Sequence, residues 1–378
     1  MLSHDPRPRG RADADTTRSR IAQRLQRYAP AVQAAVQKAA RMHPRVADLA
    51  LSFPALLFAL AVPRREADAA RAFAAAIEGR ALAEVAHAAG VPMWLRKLPV
   101  DALTKPLAHL PDGDLFGRRI VNHLPRSPKL APVWLETVAF AAQWAHEPFA
   151  IWIARELTHG PKDIKRDQLR LLCLWAWFSL NPGTVGHRLI DRPWQPALRF
   201  KTALAAAEEW RLRAALHIDL GETPIADTWL TPGCVYNYEF IPLLSVDDIV
   251  AEAAAMKNCL KTYGSNLAHN RSRLWSVRMN GRRVATLQTG HQFSDPLITI
   301  RDIAGERNRD VSVEVWWAAR QWLNQQDLPA IDTKWHRWGT APLDAGVWRS
   351  LWRPYWLAKR RIPTWLPLAP SRGILKAL

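Results

Sequence analysis

The spacing of apolar residues changes period near Pro224, and that change limits what this chain can fold into. Before it, apolar positions recur every three to four residues, as one face of a helix requires. Ile21, Leu25, Tyr28 and Val32 open the pattern, broken at Pro30, and Phe73, Ala76, Ile77, Leu82, Val85 and Ala86 repeat it before Gly90 and Pro92. The same spacing predicts helices over 132–157, over 164–180 with Leu169, Leu172, Cys173, Ala176 and Leu180 facing inward, and over 198–216. Val46 to Val62 is the most apolar segment, but Asp48 and Pro54 interrupt it and it falls short of the ~20 residues that cross a bilayer. It reads as a pair of buried core helices, so no integral membrane segment is expected. Trp134, Trp144, Trp152, Trp175 and Trp177 lie within these helices, where bulky aromatics fill cores.

After Pro224 the pattern alternates. Cys234 to Phe240 is rich in β-forming residues and predicts a strand. Ser245, with Asp248 three residues on, predicts an N-cap for a helix over 249–263 that ends near Gly264. Leu274–Met279 and Arg283–Thr289 flank Asn280-Gly281, a hairpin signal, and Leu297–Ile303 adds a strand before a helix over 311–325. The expected fold class is α+β, an all-α N-terminal helical region followed by a small, mainly antiparallel α+β domain. The domain plan is a mobile basic arm (1–17), a helical domain (18–223), the α+β domain (224–330) and a basic Trp/Pro-rich tail (331–378).

Hydrophobic residues make up 49% of the chain and charged residues 23%, which suits folded cores rather than extended disorder. The 52 Lys and Arg exceed the 34 Asp and Glu, for a formal charge of +18, and such an excess concentrates polyanions, of which nucleic acid is the commonest. Arg- and Ala-rich composition alone would also raise the charge. Cys173, Cys234 and Cys259 are widely spaced and lack a CxxC or a paired His, so neither a disulfide framework nor a zinc site is expected, and a reducing cytoplasm fits. Walker A, GxGxxG, HExxH and GxSxG signatures are absent, so no cofactor or metal is expected.

One set of residues has a distinctive order: Met256-Lys257-Asn258-Cys259-Leu260-Lys261-Thr262-Tyr263, the strand 283–289, then Ile298, Asp302, Gly305 and Asn308. A Met-x-x-Cys helix end with Tyr four residues later, paired strands and a Gly-x-x-Asn turn resembles the PcfJ-like family over about 229–325. The resemblance implies an association with conjugative plasmids, phages and other mobile elements, and implies no reaction. Where the family pattern has Gln, this chain has Asp302, which removes the amide from that position.

Cys259, Tyr263 and Asp302 are the catalytic candidates. Helical spacing places Met256, Cys259 and Tyr263 on one surface, and Lys257, Lys261 and His269 would supply the positive setting that a reactive thiol needs. The plain alternative is a buried cysteine acting as a small hydrophobe. Glu239, Asp247, Asp248, Glu252, Asp295, Asp302, Glu306 and Asp310 would form a divalent-metal nuclease site if they converged, although helix surfaces and turns explain each one. Arg271, Arg273, Arg278, Arg282, Arg283, Arg301, Arg307 and Arg309 suit phosphate binding, and Asn308 with Gln288 would read a base edge from a shared groove. The Gly305–Asn308 stretch reads equally well as a turn in which Gly and Asn take left-handed dihedrals.

The tail from Lys334 carries nine Lys and Arg against Asp344 alone, interleaved with Trp335, Trp338, Trp348, Trp352, Trp356 and Trp365. Pro342, Pro354, Pro363, Pro367 and Pro370 suggest an extended wrap docked on the chain itself; base stacking, a membrane surface or a protein partner suit the composition too. The functional expectation is a nucleic-acid-associated accessory protein. The rivals are a hydrolase or transferase using Cys259 or the acids near 302–310, and a protein-interaction scaffold.

Overall fold

A computed structural model of the chain describes residues 9–125, 127–159, 164–292, 295–327 and 345–367. The chain divides into two compact units, Met1–Trp177 with Trp194–Leu204, and Phe178–Pro193 with Ala205–Leu378. The fold is α+β, as expected, but this division departs from a boundary at 223/224.

The first unit is helical: α1 (Arg9–Leu25), α2 (Pro30–Met42), α3 (Pro44–Ser52), α4 (Pro54–Ala61), α5 (Glu66–Glu78), α6 (Leu82–Ala88), α7 (Asp114–Ile120), α8 (Ala131–Trp144), α9 (Glu147–His159) and the start of α10 (Arg166–Ser179). Helix α1 begins inside the stretch read as an arm; residues 1–8 lie outside the described residues. Pro30, Pro44 and Pro54 each occupy the first turn of a helix, where a missing N–H goes unnoticed, so these prolines start helices rather than kink them. The single helix expected over 132–157 is two. Pro148 cannot donate to the carbonyl of Trp144, Ala145 leaves helical geometry, and the His146 imidazole accepts the Phe149 N–H at 3.1 Å to cap α9. Helix α4 is buried from Pro54 to Leu60, and an aromatic cluster of Phe149, Trp152 and Trp194 forms a second part of the core. Among the described residues no helix is long and apolar enough to cross a membrane.

The second unit adds α11 (Val185–Arg188), most of α12 (Phe200–Leu220) and a five-stranded antiparallel meander. Its strands are β1 (Gly233–Val235), β2 (Tyr238–Pro242), β3 (Ser272–Met279), β4 (Arg282–Gln292) and β5 (Asp295–Ala304), paired in sequence order. The one strand expected over 234–240 is a hairpin, turning where Tyr236 takes φ +54°. Asn280 and Gly281 have φ +51° and +75°, the left-handed pair that a type I′ turn needs.

Two helices cover the sheet. On one face, α15 (Val313–Asn324) lays Val315, Ala318, Ala319 and Trp322 on Phe240, Trp275, Val277, Ala285 and Leu287. Trp322 stacks on Phe240 at 4.6 Å and 3°, and meets Trp275 edge-on at 4.8 Å. On the other face lies α13 (Val246–Met256), whose Ser245–Asp248 capping box forms as expected. It ends at Lys257, φ +51°, well before Gly264. Gly264 instead opens α14 (Gly264–Ala268), where a Cβ would lie 2.5 Å from Asp219 Oδ2.

The tail contributes α16 (Ala345–Lys359), a helix with Pro354 inside it rather than an extended wrap. Trp348, Trp352 and Tyr355 are wholly buried, Trp352 lying 5.9 Å from Phe178 and 6.0 Å, edge-on, from Trp210. This part of the tail docks on its own unit; Trp335 and Trp338 lie outside the described residues.

His217 of α12 is buried, and its Nε2 has no hydrogen-bond partner among the described residues. Burial holds its pKa below the ordinary value of 6.5, Arg188 adds to that, and Glu222 opposes it. The unfolded chain therefore takes up a proton near pH 6 that the folded chain refuses, so stability falls on acidification through the ordinary histidine range. Asp219, raised by burial, has the opposite sign at lower pH. In H217M the decline in melting temperature between pH 7 and 5.5 should flatten relative to the parent; an unchanged slope would assign it elsewhere.

Candidate functional site

The α13-facing side of the sheet is unusually polar. Alternation puts Ser276, Thr286, Gln288 and Asp302 on this face, opposite the Trp275–Leu287 side. Glu252 on α13 points into it and is fully buried. Its carboxylate accepts from Arg283 Nε at 2.7 Å and from Thr286 Oγ1 at 3.1 Å, and Asn258 Nδ2 donates to Thr286 Oγ1 at 3.2 Å. Buried polar groups are tolerated when paired in this way, and the chain of bonds fixes α13 in register over β4.

Because α13 stops at Lys257, Cys259 and Tyr263 do not share a helix with Met256, contrary to the spacing argument; a 3-10 turn, Leu260–Thr262, lies between them. The phenol of half-buried Tyr263 is pushed above its ordinary pKa by burial first, then by Cys259 and by Asp302. Gln288 stands directly across from Asp302 in the β4–β5 ladder.

The three groups assigned to activate Cys259 are engaged elsewhere. Lys257 Nζ donates to Glu306 at 2.6 Å, Lys261 pairs with Glu209, and His269 Nδ1 lies 2.6 Å from the Ser265 carbonyl. Cys259 itself is exposed, so the reading of a buried cysteine acting as a small hydrophobe does not hold. Among the described residues no three His, Cys, Asp or Glu side chains converge to hold a metal ion. Asp248 caps α13, Glu252 holds Arg283 and Glu306 holds Lys257.

The arginines separate by burial. Arg273 is 5% exposed, donates to the carbonyls of Asp227 and Ser272 and to Asn270 Oδ1, and lies 4.2 Å over the Trp229 ring. Burial pushes its guanidinium down to about 10. It braces the start of β3 and is not part of a phosphate-binding face. Arg283 belongs to the Glu252 network, and half-buried Arg278 donates to Ser276 Oγ at 3.2 Å.

Arg271, Arg282, Arg301, Arg307 and Arg309 are exposed. Arg271 and Arg301 flank Gly290, where a Cβ would lie 2.8 Å from the Arg271 carbonyl and 3.2 Å from Arg301 Cγ. Arg307 and Arg309 project from the turn after β5. There Gly305 is not left-handed; Arg307 and Asn308 are, at φ +59° and +56°, and the Gly305 N–H donates to the Arg309 carbonyl at 2.8 Å. The Lys257–Glu306 pair ties this turn to the end of α13. Asn308 is exposed on the turn whereas Gln288 lies half-buried in β4, opposite Asp302.

Sequence reasoning placed a helix over 311–325, as α15 bears out, but overlooked its outward face. Its outward positions Val313, Trp316, Trp317 and Arg320 follow helical spacing just as the inward set does, so the signal was a helix with two apolar stripes. Comparisons with family models, curated proteins and solved structures found no match to this chain.

Proposed function

We propose that this is a nucleic-acid-associated accessory protein of the PcfJ-like type, acting in the cytoplasm and linked to mobile elements. The observation that carries the reading is the set of exposed arginines along the β4–β5 side of the sheet, Arg271, Arg282, Arg301, Arg307 and Arg309, in a chain of net charge +18. Guanidinium groups held on strands and on a braced turn suit phosphate oxygens, since the fork is planar and permanently charged. The enzyme reading is weaker because Lys257, Lys261 and His269 contact other groups than Cys259.

The test is fluorescence anisotropy of labelled single-stranded DNA, duplex DNA and RNA across a salt series, with the full chain and with R301Q/R307Q/R309Q. Each lost phosphate contact lowers the slope of log K against log salt by about 0.7–0.9, so the triple variant should lose about 2–3 units of slope and bind at least ~10-fold more weakly at ~100 mM salt. R273Q should leave the slope unchanged, because Arg273 is internal. Absence of binding to all three probes at ~50 mM salt would overturn the proposal.

A further inference from the structure

Helix α15 has two faces that a protein interior would want. The inward one is buried in the sheet core. The outward one leaves Val313 65%, Trp316 39% and Trp317 56% exposed, and neither indole makes a hydrogen bond or ring contact among the described residues. Every other described tryptophan is buried or half-buried, including Trp348 and Trp352 of the basic tail. Two adjacent indoles left in water forgo the burial that makes tryptophan worth carrying.

One cation lies within the stripe itself. Arg320 is exposed three positions beyond Trp317 and four beyond Trp316, so it sits one turn on and between the two rings. Arg307 and Arg309 project from the turn that leads into the helix, in company with the exposed acids Glu306 and Asp310. Glu314, one position from the stripe, accepts from Ser312 at the helix start. Consecutive helical positions diverge by roughly 100°, so Trp316 and Trp317 cannot sandwich one planar group; each offers its own face.

We infer that this stripe is a stacking platform for two unpaired bases of a single-stranded nucleic acid, with Arg320 gripping the phosphate between them. It rests on the nucleic-acid reading and narrows it to single strands. Every base has a π-face but a duplex hides it, whereas Arg320 between the rings suits a phosphate that an apolar protein groove would not supply.

The experiment uses the full chain with W316A, W317A, the double alanine variant, W316F/W317F and R320Q, titrated with labelled oligo(dT), oligo(U) and a mixed-sequence duplex. The rings are exposed, so the variants should melt like the parent, and the phenylalanine pair keeps a stacking face in case alanine disturbs the helix. Each alanine should weaken oligo(dT) and oligo(U) binding by about 10-fold with an unchanged salt slope, since an indole releases no counterion. The phenylalanine pair should retain most of the affinity, R320Q should lower the slope by about 0.7, and duplex binding should change little. Tryptophan fluorescence should be quenched by oligo(dT) in the parent and much less in the double variant.

Single-strand binding unaffected by the double alanine variant would overturn the platform while leaving the arginine reading intact. A change in oligomeric mass in that variant, with strand binding unaltered, would also overturn it and mark the stripe as a contact between copies. A parent that binds none of the probes would overturn both readings, a result distinguishable from either of the others.

Discussion

Replacing Arg283 by Met should cost the C-terminal unit about 3–5 kcal/mol, because it strands a carboxylate in the core. Glu252 has no exposed side-chain surface and holds two partners, Arg283 and Thr286. Removing the guanidinium leaves one neutral hydroxyl against a full charge. The converse change is milder: Arg283 is 32% exposed and can turn to water when E252Q removes its counter-ion. The single variants should therefore be unequal, R283M well below E252Q. The double variant R283M/E252M, with no charge to bury, should recover to near the parent or above it. Urea unfolding of the four proteins at pH 7 measures all of this. Equal losses in R283M and E252Q, or no recovery in the double variant, would mean that the pair contributes through packing alone.

The same pair shows where sequence reasoning stops. Arg283 and Arg273 are indistinguishable in the sequence from Arg282 and Arg271 beside them, yet Arg273 is buried and Arg283, itself partly exposed, reaches the buried Glu252, while the other two face water. Inside or outside follows from strand register and from what α13 brings opposite, which is tertiary information. Features governed by neighbours in sequence were legible: the Ser245–Asp248 capping box, the Asn280-Gly281 hairpin and the period change that marks the sheet. The β1–β2 hairpin was not, because the left-handed residue of its turn is Tyr236 and not the Asn237 beside it. Gly264 looked like a helix stop but is a site of close approach to Asp219, a reason that no local pattern contains. The helical spacing offered for Met256, Cys259 and Tyr263 failed because α13 stops at Lys257, a break that no local pattern announced.

The tail carries the second large effect. Trp352→Ala should destabilise the same unit by about 3–5 kcal/mol, the usual range for deleting a buried tryptophan. Trp352 is fully buried between Phe178 and Trp210, and that group is itself tightly set. Trp210 Nε1 donates to the Gly186 carbonyl at 2.8 Å, and a Cβ on Gly186 would lie 2.4 Å from the Phe178 ring, so the neighbours are anchored and cannot easily collapse into the space. Trp352 Nε1 has no hydrogen-bond partner among the described residues. Phenylalanine removes that unsatisfied group together with some volume, so W352F should lose less than half of what W352A loses. Hydrogen exchange should show the alanine variant losing amide protection in α16, α11 and the second half of α12 while the helices before Trp177 keep theirs. Such a pattern would make the basic tail a structural strap over Trp210. Protection left intact in α12, with nucleic-acid affinity reduced instead, would return the Trp352 region to the binding surface.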